Sequence, residues 1–281
     1  MTELPGPSAP TAARHFLAGC VQAGLEHVVI SPGSRSAPLA LAATATAGLS
    51  HSIHLDERIA GFSALGQAKV TGRPVGLICT SGTAAANYLP AVAKASEARV
   101  PLVVLTADRP PEHRGWGVGQ AFDQLSLYGR RARLFISMPV GAEGGLDHAV
   151  REGHRAVRSA LVDQGPVHVN WPFRLPLEAP DDDSRPALVE QYLESQRPPD
   201  RSALDALGTL LAEYPDAVIV AGPDAVPAGP HRQGRREAIW DFATTWGVPI
   251  LADVLSGLRG APADVPVVDA AELVVASGSA P

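Results

Sequence analysis

Val28-Val29-Ile30-Ser31-Pro32-Gly33-Ser34-Arg35-Ser36 is a short apolar strand that ends in a turn carrying hydroxyls, a glycine and one fixed positive charge. The pattern returns twice. A strand at 50–54 is followed by Asp56-Glu57-Arg58 at the start of an apolar helix, and a strand at 74–79 runs into Thr80-Ser81-Gly82-Thr83. Polar turns at the carboxyl ends of successive strands are where an open α/β sheet builds a ligand site. The first turn supplies an arginine suited to an anion, and the second a carboxylate at a helix start.

The elements around these turns follow a strict alternation. Phe16, Leu17, Cys20, Val21 and Leu25 recur at helical spacing and predict a helix over 10–24, ahead of the strand at 27–30. An alanine-rich helix is expected over 38–47. The next, over 58–70, carries Ile59, Phe62, Leu65 and Ala68 along one apolar side and has Gly72 past its end. A helix over 83–97 precedes the near-continuous apolar run 101–106, the signature of a strand covered on both faces. A long Pro- and Gly-rich loop over 108–120 leads to a short helix over 122–128, a strand over 132–137, an amphipathic helix over 146–162 and a strand over 165–170. Such alternation predicts a parallel sheet with right-handed crossovers.

The character changes over 173–200, where Asp181-Asp182-Asp183, several prolines and few aliphatics mark a linker. A second α/β unit follows. Helices are expected over 204–214 and 235–246, strands over 217–221 and 249–252, and the opening of a further helix over 269–276. The expected organisation is an α/β domain over 1–176, a linker over 177–200, and a partial α/β domain over 201–281, thin for its class.

Composition narrows the partners. The chain has 281 residues, 46% of them hydrophobic, enough for about two domains with cores of their own. Its net charge of −6 argues against general nucleic-acid binding, though local arginines still suit small anions. The two cysteines, Cys20 and Cys79, have no metal-ligand spacing and read as core thiols of a reducing cytosol. The start carries neither a basic nor an apolar signal-peptide region, and no apolar run reaches the ~18 residues of a membrane span. A cytoplasmic address is expected.

Each motif has a plain and a chemical reading. Asp56 and Glu57 suit a helix start, where free N–H groups favour acids by ~0.3–1 kcal/mol. Glu57 is also expected to be largely buried, which would raise its pKa and let it exchange a proton with a ligand nitrogen. Arg35 can clamp a carboxylate in bidentate fashion, or Ser34-Arg35-Ser36 can be a solvated, capped turn. The small residues after Gly82 admit a cofactor or a neighbouring helix. Neither a P-loop nor the G-x-G-x-x-G of a nicotinamide-binding Rossmann unit is present. Arg114 and Gln120, in the long loop, are candidate substrate contacts. His113 reads as a solvated loop histidine, and Trp116 as a pocket cover or an oligomer contact.

Together the runs Ile30–Ser36, 54–58, 79–91 (Cys79-Thr80-Ser81-Gly82-Thr83-Ala84-Ala85-Ala86-Asn87 onward) and Leu105-Thr106-Ala107-Asp108-Arg109-Pro110-Pro111-Glu112 resemble a thiamine-diphosphate-dependent family, the menaquinone-pathway (MenD) 2-succinyl-5-enolpyruvyl-6-hydroxy-3-cyclohexene-1-carboxylate synthases. The likeness is dense over 10–176 and weaker beyond. Acetolactate synthases share the glutamate and the fold but not the Ser-Pro-Gly-Ser-Arg-Ser turn. The resemblance implies a transferase joining 2-oxoglutarate, after loss of CO2, to isochorismate, with thiamine diphosphate and Mg2+ or Mn2+. It implies that 1–176 is the pyrimidine-binding domain and 201–281 an incomplete central domain. It implies that Glu57 contacts N1′ of the aminopyrimidine and favours the imino tautomer, with Pro32, Thr80, Ser81, Gly82 and Asn87 around the cofactor. Ser34 and Arg35 bind the anionic substrate, and Arg114 and Gln120 reach the same site. The family's G-D-G…N metal motif is not in this sequence, so no metal ligand is assigned. The expectation is therefore an amino-terminal half, truncated or split, inactive alone and acting as a homo-oligomer or with a complementing half. A non-catalytic binding module, and another thiamine enzyme of the acetolactate-synthase type, remain alternatives.

Overall fold

The computed structural model of the chain describes residues 7–178, 184–189, 200–223, 225–226, 228–229, 231–270, 273 and 276–278. The chain divides into two compact units, Met1–Gln191 and Tyr192–Pro281.

Unit 1 is built on six strands: β1 (His27–Ile30), β2 (Ser50–Ile53), β3 (Val75–Cys79), β4 (Leu102–Asp108), β5 (Leu134–Ser137) and β6 (Pro166–Pro172). They form one parallel sheet in the order β2-β1-β3-β4-β6-β5. Successive side chains point to opposite faces, so each strand feeds two cores. On one side Val28, Ile30, Ile78, Val103, Leu105, Val167, Val169 and Trp171 pack under helices α1 (Ala9–Gln22), α2 (Ala37–Ala45) and α6 (Leu146–Val162). On the other, Val29, Leu77, Cys79, Leu102 and Val104 meet α3 (Glu57–Thr71), α4 (Thr83–Asn87) and α5 (Leu89–Glu97). The result is the three-layer α/β sandwich with a parallel sheet that the alternating pattern predicts. Every residue of β3, β4 and β6 is buried, which explains the apolar runs of β3 and of 102–105, and the polar side chains of β4 and β6 (Thr106, Asp108, His168, Asn170) are hydrogen-bonded within the fold. Both cysteines are fully buried.

α1 and α6 approach so closely that glycines line the crossing. A Cβ built on Gly19 would stand 2.0 Å from the Val150 carbonyl oxygen, and one on Gly153 2.0 Å from that of Phe16. Within the segment read as a linker, residues 184–189 are held against α1. Gln22 donates through Nε2 to the Ala187 carbonyl (2.9 Å) and accepts from the Val189 amide (2.8 Å). His15 Nε2 lies 2.9 Å from Ser184 Oγ.

Three expectations are corrected. The helix over 83–97 is two helices that meet at Tyr88, because Pro90 has no N–H for the Ala86 carbonyl. The helix over 122–128 does not form. Leu125 N bonds to Asp123 Oδ1 (3.0 Å), Ser126 takes φ 50°, and the segment is a run of turns that lowers Gln124 into the core. On α3, Leu65 and Ala68 are buried, but Ile59 and Phe62 face outward. The Asp181-Asp182-Asp183 run and part of the helix expected over 269–276 lie outside the described residues.

Unit 2 has a parallel three-stranded sheet in the order β7-β8-β9, from β7 (Ile219–Ala221), β8 (Ile250–Ala252) and β9 (Val267–Val268). Helices α7 (Arg201–Glu213) and α8 (Arg232–Trp246) accompany it. Ala221, Trp240, Ala243, Ile250, Ala252 and Leu258 make its small core. None of the residues of α7 is buried.

Candidate active site

The strand order places the site. From β1 the chain moves outward to β2, then crosses back to β3 on the other flank of β1. The loops after β1 and β3 therefore diverge and leave a crevice at the carboxyl ends of the strands. There an open cavity of about 540 Å³ is lined by Pro32, Gly33, Ser34, Glu57, Thr80, Ser81, Gly82, Asn87 and Gln120, with Thr83, Ala84, Ala121 and Phe122.

The turns are stitched together. Gly33 lies so close to Thr80 that an added Cβ would stand 2.4 Å from the Thr80 Cβ, which accounts for glycine there. The Arg35 amide donates to Thr80 Oγ1 (3.2 Å), and Ser36 Oγ donates to the Gly33 carbonyl (2.9 Å). Gly82 adopts φ 89°, and an added Cβ would meet the Gln120 Cα at 3.1 Å. Gln120 itself is held at φ 57°, a conformation that costs a non-glycine residue about 1–3 kcal/mol and clusters at functional sites. Ser81 Oγ is buried against the cavity without a hydrogen-bond partner.

Asp56 and Glu57 divide the labour that the sequence left open. Asp56 is the N-cap of α3, accepting from the Arg58 amide (2.9 Å). The Arg58 guanidinium, hydrogen-bonded to it, holds its carboxyl down at about 2. Glu57 thus has no capping duty and lines the cavity, where Asn87 Nδ2 donates to its Oε2 (3.3 Å). Glu57 is half-buried in this chain, not largely buried as expected, because the cavity beside it is open. Its charge contributes, after burial, to raising the Cys79 thiol behind it well above the ordinary value.

The arginines are arranged differently from the sequence reading. Arg35 and Arg114 do not line the cavity. The Arg35 side chain is buried and donates through Nη1 to the Phe173 carbonyl (2.7 Å). Burial lowers its pKa, the Arg109 charge lowers it further, and Asp108 opposes both. Arg114 Nη2 pairs with Asp108 Oδ2 at 2.7 Å, and Asp108 is fully buried. Arg109, which the sequence reading did not single out, donates to the Gly119 carbonyl (3.1 Å). The Nε atoms of Arg35, Arg109 and Arg114 are buried with no partner. The Asp108 carboxylate is bonded to one guanidinium, that of Arg114, while Arg109 reaches it through its backbone amide and the Arg35 charge feels both Asp108 and Arg109. The only sequence signal for Arg109 was its place just past a strand buried end to end.

Beneath the site lies a buried polar network. Thr106 Oγ1 donates to Asn170 Oδ1 (2.8 Å) and so accepts from His168 Nε2 (2.8 Å). His168 sits between Tyr128 and Phe135, with ring centroids 4.6 and 5.0 Å away. Burial pushes its pKa from 6.5 to about 3. The unfolded chain then binds a proton below about pH 6.5 that the folded chain refuses, so stability is full above that pH and falls as pH drops towards 3. The slope expected from this group approaches about 1.4 kcal/mol per pH unit. Urea unfolding between pH 7 and 4 measures it. His168→Gln should flatten the curve, and equal slopes in the two proteins would remove His168 as the cause.

Among the described residues no three His, Cys, Asp or Glu side chains gather into a metal-binding group, and no helix is long and apolar enough to cross a membrane. The cavity lining contains one carboxylate and no cation. That set fits a ring with a protonatable nitrogen and does not fit a diphosphate.

Residues 10–127 match the family model described as thiamine pyrophosphate enzyme, N-terminal TPP binding domain. The chain is 46% identical to the 2-succinyl-5-enolpyruvyl-6-hydroxy-3-cyclohexene-1-carboxylate synthase of Geobacillus thermodenitrificans, over 87% of its own length and 42% of the relative's. The synthases of the same name from Chloroflexus aurantiacus (44% identical, 89% of this chain, 43% of the relative) and Halorubrum lacusprofundi (45%, 88% and 42%) match alike. The chain is similar to these synthases over most of its own length, and it spans about two-fifths of theirs.

Proposed function

We propose that this chain supplies the aminopyrimidine side of the active site of a thiamine-diphosphate-dependent 2-succinyl-5-enolpyruvyl-6-hydroxy-3-cyclohexene-1-carboxylate synthase, which joins decarboxylated 2-oxoglutarate to isochorismate. The observation that carries this is Glu57: a carboxylate relieved of helix capping, facing the crevice between β1 and β3 opposite the Gly82 turn. The cofactor, when bound, supplies the electron sink that loss of CO2 from a 2-oxo acid requires. Glu57 shares a proton with ring nitrogen N1′. Gly82, Ser81, Thr80 and Pro32 form the wall beside the ring, and Asn87 orients Glu57 through Oε2. Ser34 and Gln120 face the substrate from the rim, while Arg35, Arg114 and Arg109 supply the positive field that draws an anionic substrate to it.

The diphosphate and its Mg2+ or Mn2+ need ligands that this lining lacks, so a second surface closes the site: another copy or a complementing half. An apolar face beside Glu57 supports this. Ile53, Leu55, Ile59 and Phe62 are 61, 84, 58 and 50% exposed, more contiguous large apolar surface than a solvent-facing helix start requires. Phe62→Asp should weaken self-association at least tenfold in sedimentation while the circular dichroism spectrum stays unchanged. An unaltered association constant would assign the contact elsewhere. We place the protein in the cytoplasm on its two buried thiols.

The test of the reaction is CO2 release from 2-oxoglutarate with thiamine diphosphate, Mg2+ and isochorismate, measured for the chain with a polypeptide supplying the rest of a relative's length. Turnover in the mixture supports the assignment, and none in any mixture leaves a binding module.

A further inference from the structure

We propose that Gln124 is a positioning residue: its buried amide fixes the Gly82 turn and ties it to the arginine cluster. The inference rests on the cofactor reading above and goes beyond it. The Gln124 side chain is fully buried and uses every hydrogen-bonding atom it has. Oε1 accepts from the Gly82 amide (2.8 Å), and Nε2 donates to the Ala107 carbonyl (3.1 Å) and to Asn170 Oδ1 (3.0 Å). The amide has one workable orientation, since turning it over would set N–H against N–H at Gly82 and oxygen against oxygen at the other two.

Gly82 needs such a restraint. It is the N-cap of α4 with φ 89°, so no helical hydrogen bond uses its N–H, and a glycine is free to leave that conformation. From Gln124 the network continues without a gap. Asn170 Nδ2 donates to Asp108 Oδ2 (2.9 Å), the oxygen that also receives Arg114, and Asp108 Oδ1 accepts from the Arg109 amide (2.7 Å). Asn170 Oδ1 also accepts from Thr106 Oγ1, whose own partner is His168 Nε2. One side-chain amide thus sets the distance between the turn that would meet the ring and the arginines that would meet the substrate. The irregular backbone over 122–128 carries Gln124 to that position.

Amide hydrogen exchange on the ligand-free chain, resolved by NMR, tests this. Gln124→Met removes all three bonds, and Gln124→Glu keeps an oxygen for Gly82. Relative to the amide of Val104 in the middle of β4, Gly82 exchange should rise about tenfold or more in Gln124→Met and clearly less in Gln124→Glu, which keeps the acceptor for Gly82 but loses the two donor bonds. If Gly82 only tracks Val104 in both variants, Gln124 is a structural filler and the inference is overturned. Should Gln124→Met not fold, the scalar coupling across the hydrogen bond from Gly82 N to Gln124 Cδ in the wild-type chain decides: present, it supports the link; absent, it ends it. Titration of millimolar thiamine diphosphate with Mg2+ separates the two readings. Shifts at Glu57 and Gly82 in the wild type that need tenfold more ligand in Gln124→Met support both. No shift in the wild type removes the cofactor reading and leaves the exchange result standing.

Discussion

Glu57→Gln should reduce turnover of the assembled enzyme by about two to four orders of magnitude, the usual contribution of a positioned proton-sharing group. The substituted amide matches the carboxylate in size and keeps an oxygen towards Asn87 Nδ2, but it cannot share a proton with a ring nitrogen. The fold should be indifferent. Asp56 caps α3, and Glu57 is half-buried beside an open cavity, so the melting temperature of this chain should move by no more than a few degrees. Deuterium exchange at the thiazolium C2 of the cofactor, followed by NMR, isolates the proton step from substrate binding. Exchange and turnover at near wild-type rates would take the acid–base role away from Glu57.

Gly153→Ala should be the most damaging small substitution in unit 1. Helix propensity alone favours the alanine by about 1 kcal/mol. Packing decides against it: the new Cβ would stand 2.0 Å from the Phe16 carbonyl oxygen, a backbone atom in the middle of α1 that has no rotamer to escape into. The helices would have to separate, opening gaps around Phe16, Cys20 and Val157 in the core they share. A loss of about 3 kcal/mol or more in urea unfolding is expected, at the upper end of overpacking effects. Gly19→Ala should behave alike. The double variant should cost less than the two losses combined, because one separation accommodates both methyls. Gly66, in α3, has nothing within 4 Å of an added Cβ, so Gly66→Ala is the control and should leave stability unchanged or raise it. Equal losses at Gly153 and Gly66 would refute the close crossing as the cause.

How far the sequence could be read follows from where its information is local. The central strands were legible because both faces are buried and their apolar runs are long, as at 102–105. The polar turns were legible because each interrupts such a run with glycine and hydroxyls. Gln124 was not, since its segment has helical spacing and only the Ser126 backbone and three distant partners override it. Ile59 and Phe62 fit an apolar helix face, and spacing alone does not distinguish a face that meets its own sheet from one that meets another surface. Arg35 was found by its neighbours in sequence, but its withdrawal to the Phe173 carbonyl depends on a residue 138 positions later. Arg109 had no periodic signal and emerges only from its neighbours in space.

The sheet order also dictates a schedule. Among the described residues β5 pairs with β6 alone, and β6 slots between β4 and β5 although it comes last in the sheet. While a ribosome is still translating, β4 presents a bare edge of backbone N–H and C=O groups and β5 has nothing to pair with until residue 172 has cleared the exit tunnel. A pause in synthesis before that point would leave an open template for strands of other nascent chains, the circumstance in which chaperone capture matters most.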